Sequence, residues 1–204
     1  MKNEVKDINK LKKIGLYLAY FIIVWDLIEG FIAITAGIMA NSIALIGFGM
    51  DSGIEVFAAL VTVWYLRSKD ERHYKSALRL IAVTFFILAA YVLFNSISDL
   101  VTQDKALPSM LGILMNMVAL PVMVVTAIWQ KRTGKALNNK VLIAQSNETW
   151  LSNYLSISLL VGLGANMLFG WWWADPLIAI VLAGVAVYEG KEAWEEASEG
   201  ENDE

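Results

Sequence analysis

Residues Ser42–Leu66, SIALIGFGMDSGIEVFAALVTVWYL, form an apolar run of 25 residues that contains two acidic residues, Asp51 and Glu55. A helix of this length can cross a hydrocarbon core about 30 Å thick, because each helical residue adds about 1.5 Å. The i, i+4 spacing places both carboxylates on one face of that helix. A carboxylate at membrane depth is costly unless it meets a partner, water, a proton or a cation. The pair therefore predicts a functional site.

The composition of the whole chain indicates a membrane protein. Hydrophobic residues make up 57% of the 204 residues and charged residues 18%, and the mean hydropathy is +0.54. Soluble domains carry more charge than this. The sequence predicts one all-α integral membrane bundle of six transmembrane helices, arranged as three helical hairpins. The predicted spans are 14–39, 42–66, 77–101, 107–129, 148–172 and 174–194.

The basic residues predict how the chain is oriented in the lipid bilayer. All but one of the 16 Lys and Arg residues lie in the N-terminal segment, in the links after spans two and four, or near the C-terminus. Only Lys105 lies on the opposite side. This asymmetry predicts that both termini are cytoplasmic. The first apolar stretch is too long for the core of a cleaved signal peptide. We expect a multi-pass protein of a prokaryotic plasma or inner membrane.

Three regions are predicted along the chain. Residues 1–13 form a cytoplasmic N-terminal segment, residues 14–194 the six-helix transmembrane domain, and residues 195–204 an acidic cytoplasmic tail. We expect the acidic residues after Gly190 to be solvated, because a run of like charges usually faces water.

Two further acidic residues are predicted to lie near the first pair. Asp26 and Glu29 are three residues apart, on one face of span one. Counted from the short turn at 40–41, Glu29 lies about as deep as Asp51, and Asp26 about as deep as Glu55. Four carboxylates in one layer repel one another unless some are protonated or a divalent cation binds. The layer predicts competition between protons and a cation. The alternative is that these acids pair with buried amides or lie at a subunit interface.

Span five begins with the polar sequence NETWLSNYLSIS. Glu148, Ser152 and Ser156 follow one another at i, i+4 and i+8, with Asn153 beside them. A row of oxygen-bearing side chains suits a cation or a water-filled vestibule. The alternative is that Glu148 marks the N-terminus of a helix, where the helix dipole favours an acid.

Several functional classes are disfavoured. The chain has no Cys, which excludes disulfides and thiolate metal sites. It has no phosphate-binding glycine loop, nucleophile elbow or zinc-protease helix, so we do not expect an enzyme. The basic residues follow membrane sidedness and do not form a stripe with aromatic residues, so we expect no nucleic-acid partner.

At these residues the chain resembles the cation diffusion facilitator (cation efflux) superfamily. The segment 41–67, NSIALIGFGMDSGIEVFAALVTVWYLR, is similar to the second helix of that family, where two acids four residues apart bind the transported metal. The segment 153–194, NYLSISLLVGLGANMLFGWWWADPLIAIVLAGVAVYEGKEAW, is similar to its fifth and sixth helices. The six-span topology with both ends inside is shared. The chain looks most like a small, histidine-poor branch that includes bacterial cation transporters and a vertebrate vesicular zinc transporter.

The resemblance implies ligand residues and also shows one departure. Asp51 and Glu55 match the two metal ligands of helix two. In helix five, better-known members carry His-x-x-x-Asp. An alignment without a gap places Thr149 and Asn153 at those positions, and a one-residue slip places Glu148 and Ser152 there. We prefer the slip, because Glu148 supplies an anionic oxygen. No counterpart of the family's cytoplasmic C-terminal metal-binding domain is found in the sequence.

The predicted function is export of a divalent metal cation from the cytoplasm by proton antiport. Carboxylates without His or Cys accept zinc, manganese or magnesium, and the resemblance favours zinc or a similar ion. The family also implies a homodimer. The predicted ligands are Asp51, Glu55 and Glu148, assisted by Ser152 or Asn153, while Glu29 and Asp26 add charge or carry the coupled proton. The alternatives are a cation-binding membrane sensor or regulatory subunit that does not transport, and a purely structural helix bundle.

Overall fold

The computed structural model describes residues 2–40, 43–68, 72–102 and 110–199. Within these ranges the chain is helical and contains no strand, so the predicted all-α bundle of six helices is confirmed. The predicted turn residue Asn41, the link that holds Lys105 and residues 200–204 of the acidic tail lie outside the described residues. The helices are α1 (Lys2–Ala40), α2 (Ile43–Arg67), α3 (Arg72–Thr102), α4 (Met110–Ala136), α5 (Lys140–Phe169) and α6 (Ala174–Glu199).

The distribution of side chains is that of a bundle in lipid. Large apolar side chains such as Tyr17, Phe31 and Phe94 are exposed on the outer faces, while many buried positions hold polar residues. Apolar surfaces of this kind suit lipid, and polar groups inside a membrane protein lie toward the bundle interior. Among the described residues, four segments are long and apolar enough to cross a membrane: Ile8–Ala36, Ile46–Arg67, His73–Thr102 and Ile113–Ala136.

The helices pack in pairs that match the predicted hairpins only in part. α1 packs along α2, as predicted, but α3 packs most extensively on α6 and α4 on α5. A Cβ added at Gly190 of α6 would lie 3.0 Å from the Cβ of Phe85 in α3, so the missing side chain allows this close approach. Within the described part, α3 and α4 share no extensive contact, and their predicted hairpin is wrong. Complementary surfaces, not chain order, select the partners.

Two groups of helices result. α1, α2, α4 and α5 contact one another around a shared interior, and α3 and α6 form a pair beside them. We call the end of the bundle at the α4–α5 junction the Asn138 end. The end at the α5–α6 junction is the Trp171 end.

α5 begins earlier than the sequence predicts. Asn138 has a φ of 48°, a left-handed conformation that Asn tolerates. Asn139 then caps the helix, because its Oδ1 accepts a hydrogen bond from the backbone N–H of Leu142 at 3.0 Å. The helix therefore starts at Lys140, about two turns before Glu148. Glu148 lies inside α5 and not at its N-terminus.

α6 continues beyond the predicted end of span six. The helix reaches Glu199, and its last turns bury Ala193 and Ala197. Glu196 lies in the same stretch, with its Oε2 at 3.3 Å from Nζ of Lys140. Of the acids that were expected to be solvated, Glu192 and Glu195 are exposed, as predicted, whereas Glu196 is half-buried.

Candidate metal site

α1 and α2 approach each other closely beside four of their acidic residues, Asp26, Glu29, Asp51 and Glu55. A Cβ added at Gly30 would lie 3.1 Å from the carbonyl oxygen of Gly49, and a Cβ at Gly49 would lie 2.9 Å from the carbonyl oxygen of Gly30. Only glycines allow the two backbones to come this near. The four acids lie within two turns of these glycines and are thereby held close together.

A cavity of about 30 Å³ lies between α1, α2, α4 and α5. This volume is enough for an ion or for one or two water molecules. None of its described lining residues is Lys, Arg or His. The lining residues are Asp26 and Glu29 from α1, Phe48, Asp51, Ser52 and Glu55 from α2, Ala119, Leu120 and Met123 from α4, and Thr149, Ser152, Asn153 and Ser156 from α5.

Three of the four carboxylates in this cavity are buried, Asp51 is half-buried, and most are incompletely partnered. Asp26 and Glu55, from different helices, both line this cavity and lie close enough to interact with each other. Two carboxylates can stay in such contact only when a proton or a cation lies between them. One oxygen each of Asp26, Asp51 and Glu55 has no hydrogen-bond partner in the described part of the chain. Glu29 differs, because its Oε2 accepts a hydrogen bond from Nε1 of Trp25 at 2.6 Å.

α5 supplies neutral oxygens opposite the acids. Ser152 lies near both Asp51 and Glu55, and its Oγ makes no hydrogen bond with the described residues. Asn153 donates from Nδ2 to the backbone oxygen of Thr149 at 2.8 Å, which fixes its amide group. Its remaining side-chain oxygen and the Ser152 hydroxyl are suited to a hard cation. In the described part, no three acidic or His side chains are close enough to hold a metal by themselves.

Glu148 is buried but does not line the cavity. It is 1% exposed, its hydrogen-bonding neighbour is Thr84 of α3, and its Oε1 has no partner among the described residues. Thr149 and Asn153, the residues placed by the alignment without a gap, both line the cavity. Of the pair placed by the slipped alignment, only Ser152 does. The structure therefore brings together six of the seven predicted ligands and sets Glu148 beside them.

Comparison with known proteins gives the family of the chain. Residues 19–199 match the family model described as a cation efflux transmembrane domain. The chain belongs to the cation efflux family. The resemblance inferred from the sequence is thus confirmed at the level of the family. The matched range of this cation efflux domain includes every residue that lines the cavity.

Three relatives show how much of the chain is shared. The cation-efflux pump FieF of Shewanella oneidensis is 26% identical over 175 residues, or 80% of this chain and 58% of the relative. The magnetosome protein MamB of Magnetospira sp. is 24% identical over 166 residues, or 76% and 55%. An uncharacterized transporter of Synechocystis sp. is 24% identical over 156 residues, or 70% and 49%. The chain spans about half the length of the curated relatives it matches.

The contribution of α4 to the wall of the cavity was not predicted from the sequence. Ala119, Leu120 and Met123 close one wall of the cavity, although none of them carries a charge or a metal-binding oxygen. A periodic signal was present, because Asn116, Met123 and Gln130 recur every seven residues and thus share a face of α4. Two of these three residues, Asn116 and Gln130, are polar, which indicates a helix face turned toward a polar interior.

Proposed function

We propose that this cation efflux domain exports a divalent metal cation, zinc or a similar ion, from the cytoplasm in exchange for protons. Asp51 and Glu55 are the proposed anionic ligands from α2. Asp26 faces Glu55 from α1, and Ser152 and Asn153 supply neutral oxygens from α5. Glu29 adds negative charge at the edge of the same cavity.

The contact between Asp26 and Glu55 carries this proposal. The two acids come from different helices, are buried, and have no basic residue among the described lining residues of their cavity. A proton can hold such a pair together, and a divalent cation can replace the proton. Because both ligands occupy the same oxygens, binding of one releases the other. This exchange is the chemistry that an antiporter requires.

The donor set narrows the choice of cargo. The described lining residues offer carboxylate, hydroxyl and amide oxygens, but no imidazole nitrogen and no thiolate. Oxygen sites accept zinc, manganese or magnesium. The relative FieF is named a cation-efflux pump. We propose zinc first and manganese second, because the histidine-poor branch that the sequence resembles includes a zinc transporter.

The main experiment measures metal-driven proton flux in proteoliposomes. Asp51→Asn combined with Glu55→Gln keeps the side-chain shapes but removes both charges, so the flux should fall to that of protein-free liposomes. Glu192→Gln is the matched control, because Glu192 is an exposed acid of α6 far along the chain from the cavity residues. Flux in the double variant that equals the wild-type flux would exclude this mechanism.

The role of Glu148 as a third anionic ligand is a separate proposal. Its carboxylate is buried beside Thr84 of α3, and movement of α3 away from α5 is the step that would free the side chain to turn toward the ion. Isothermal titration of Glu148→Gln with Zn²⁺ tests this role. If Glu148 binds the ion directly, the substitution should weaken Zn²⁺ binding about tenfold or more, because one charge-assisted contact is lost. If the carboxylate stays beside Thr84, the substitution should change the affinity much less.

A non-transporting sensor or regulatory subunit is the second candidate function. It is favoured by the helix-five residues Thr149 and Asn153, which replace the usual His and Asp with neutral groups. A sensor should bind metal saturably, but a proton gradient should not drive metal uphill in proteoliposomes. Uphill movement of Zn²⁺ under that gradient would exclude the sensor.

Orientation and assembly complete the proposal. We propose that the Asn138 end faces the cytoplasm, together with both termini, because the basic residues concentrate there. We also propose a homodimer, as the family implies. Light scattering of the purified chain in detergent, corrected for bound detergent, measures the number of copies.

A further inference from the structure

Two glutamines next to the carboxylate cavity are buried without the partners that amides require. Gln130 of α4 is 0% exposed, and Gln145 of α5 is 1% exposed. In the described part of the chain, Nε2 of Gln130 and both amide atoms of Gln145 have no hydrogen-bond partner. A buried amide without a partner destabilises a fold, whereas a leucine of similar size does not. The two side chains therefore indicate that a polar ligand from outside the chain binds beside them.

Thr149 connects the glutamines to the cavity. Its side chain lines the cavity, and its Oγ1 donates a hydrogen bond to Oε1 of Gln130 over 3.5 Å. Gln145 precedes Thr149 by four residues, so the two share a face of α5. The Thr149 Oγ1 also lies 3.3 Å from the backbone oxygen of Gln145. The three residues thus extend the polar lining of the cavity toward the Asn138 end.

Two lysines near this end are bound to other groups. Lys131 donates from Nζ to Oδ1 of Asn147 at 2.9 Å, and Asn147 donates from Nδ2 to Oε2 of Glu189 in α6 at 2.6 Å. Nζ of Lys140 lies 3.3 Å from Oε2 of Glu196, also in α6. Both ammonium groups are therefore held toward α6. Neither ammonium group is bound to a glutamine, so the unpartnered Oε1 of Gln145 is free to face a ligand of positive charge.

We propose that Gln130, Gln145 and Thr149 form a station of neutral oxygens at which a divalent cation, with part of its water shell, stops between the Asn138 end and the carboxylate cavity. This inference rests on the proposed function. The side-chain oxygens accept hydrogen bonds from metal-bound waters or replace one of them, and the amide NH₂ groups donate to further waters. Neutral ligands hold a divalent ion weakly, so the station passes the ion to the carboxylates and does not retain it.

The test follows the kinetics of Zn²⁺ binding to the full chain in detergent, by stopped-flow competition with a fluorescent chelator. In Gln130→Leu/Gln145→Leu, the association and dissociation rate constants should both fall about tenfold, the factor expected for lost hydrogen bonds to a charged species. The Kd should stay the same, because the station lies on the path and not at the final site. A change in Kd with an unchanged association rate would overturn the proposal.

Thr126→Val is the matched control for this measurement. Thr126 is buried one turn before Gln130 on α4, and its Oγ1 already donates to the backbone oxygen of Val122 at 2.8 Å. The variant therefore disturbs packing at the same level without removing a free polar group, and both rate constants should be unchanged. Equal slowing in Thr126→Val and in the double leucine variant would overturn the proposal.

A gain-of-binding variant does not depend on the leucine substitutions. Asp51→Asn/Glu55→Gln removes the charge from the carboxylate cavity and should abolish Zn²⁺ binding in isothermal titration. Addition of Gln145→Glu gives the station one anionic oxygen in nearly the same shape, so this triple variant should regain one Zn²⁺ per chain. If the triple variant binds no Zn²⁺, the station does not exist.

Failure of this proposal differs from failure of the proposed function. Normal proton-coupled flux in the wild type together with unchanged rate constants in the double leucine variant removes only the station. Proton-coupled flux that stays at the wild-type level in Asp51→Asn/Glu55→Gln would exclude the proposed function itself. The recovery of binding by Gln145→Glu can be scored in either case, because it needs no transport.

Discussion

Asp26 and Glu55 form the contact on which the site depends. Each acid belongs to a different helix, and the two carboxylates meet in a buried place without a basic neighbour among the described lining residues. Like charges in such a position oppose folding, unless a proton or a cation offsets them. A fold that retains this pair must therefore bind a proton or a cation at the two carboxylates in at least one of its states.

Asp26→Asn should therefore separate stability from binding. Without metal, loss of one of two opposed charges should stabilise the chain by about 1 kcal/mol, which raises the Tm by about 2–4 °C for a chain of this size. The affinity for Zn²⁺ should fall about tenfold, because one anionic oxygen is lost. Thermal melting with and without Zn²⁺ measures both effects. An unchanged Tm combined with an unchanged Kd would show that Asp26 takes no part.

Binding of metal should release protons. When Zn²⁺ takes carboxylate oxygens that protons also occupy, the apparent affinity must fall as the pH is lowered. Titration at one pH in two buffers with different ionisation enthalpies gives the number of protons released per ion. The number should be smaller in Glu55→Gln than in the wild type. A release of zero in the wild type would argue against proton exchange at this cavity.

The acids of α1 and α2 and the polar residues Ser152 and Asn153 of α5 were predictable from the sequence, but the position of Glu148 was not. Asp51 and Glu55 stand out because a charge inside an apolar run is costly and usually has a functional role. The equal depth of Asp26 and Glu55 follows from counting along one tight hairpin. Glu148 was harder, because the start of α5 depends on the cap made by Asn139 and not on hydropathy. Rotation of α5 about its axis, which decides whether Glu148 or Thr149 faces the cavity, is fixed by packing alone.

The pairing of α1 with α2 depends on two glycines. Gly30 and Gly49 let the backbones approach until each Cα faces the carbonyl oxygen of the other helix. Gly53, one turn from Gly49, has nothing within 4 Å of an added Cβ. Gly49 is therefore a packing glycine, whereas Gly53 borders free space.

Gly49→Ala and Gly53→Ala form a matched pair of substitutions. Gly49→Ala should destabilise the chain by about 1–3 kcal/mol, because the added methyl group meets Gly30 and Ile34 and the helices must separate. Gly53→Ala should be neutral or stabilise by up to about 1 kcal/mol, because alanine favours the helix. Thermal melting in detergent compares them. Equal Tm values for the two variants would contradict the assigned contact.

The association of α3 with α6 could not be read from the sequence. Hydropathy predicts spans, and short links favour neighbours, which suggested that α3 pairs with α4. The structure shows that Gly190 admits Phe85 and Phe86 into the surface of α6. This fit between distant segments appears only when the shapes of both surfaces are known. Chain order was sufficient for α1 and α2, which are separated by only two residues of sequence.

The bundle as a whole can be mapped with single cysteines, since the chain contains none of its own. Asn138 and Trp171 are exposed and lie at opposite ends. In intact cells, a membrane-impermeant maleimide should label Trp171→Cys but label Asn138→Cys only after the cells are broken. Labelling of Asn138→Cys in intact cells would reverse the proposed orientation. A cysteine at the lipid-facing Phe31 should react poorly in both conditions.

The described walls of the carboxylate cavity come from α1, α2, α4 and α5 only, and α3 and α6 contribute none of them. If these four helices tilt together as one rigid group, every ligand can stay in contact with the bound ion. The interface of these helices with α3 and α6, where the Tyr91 side chain packs against Gly47, would then be the surface along which the two groups move. A small molecule or antibody fragment bound in that interface would then stop the proposed transport cycle with the ion still bound. Added metal could not relieve this inhibition, because the inhibitor does not compete for the metal site.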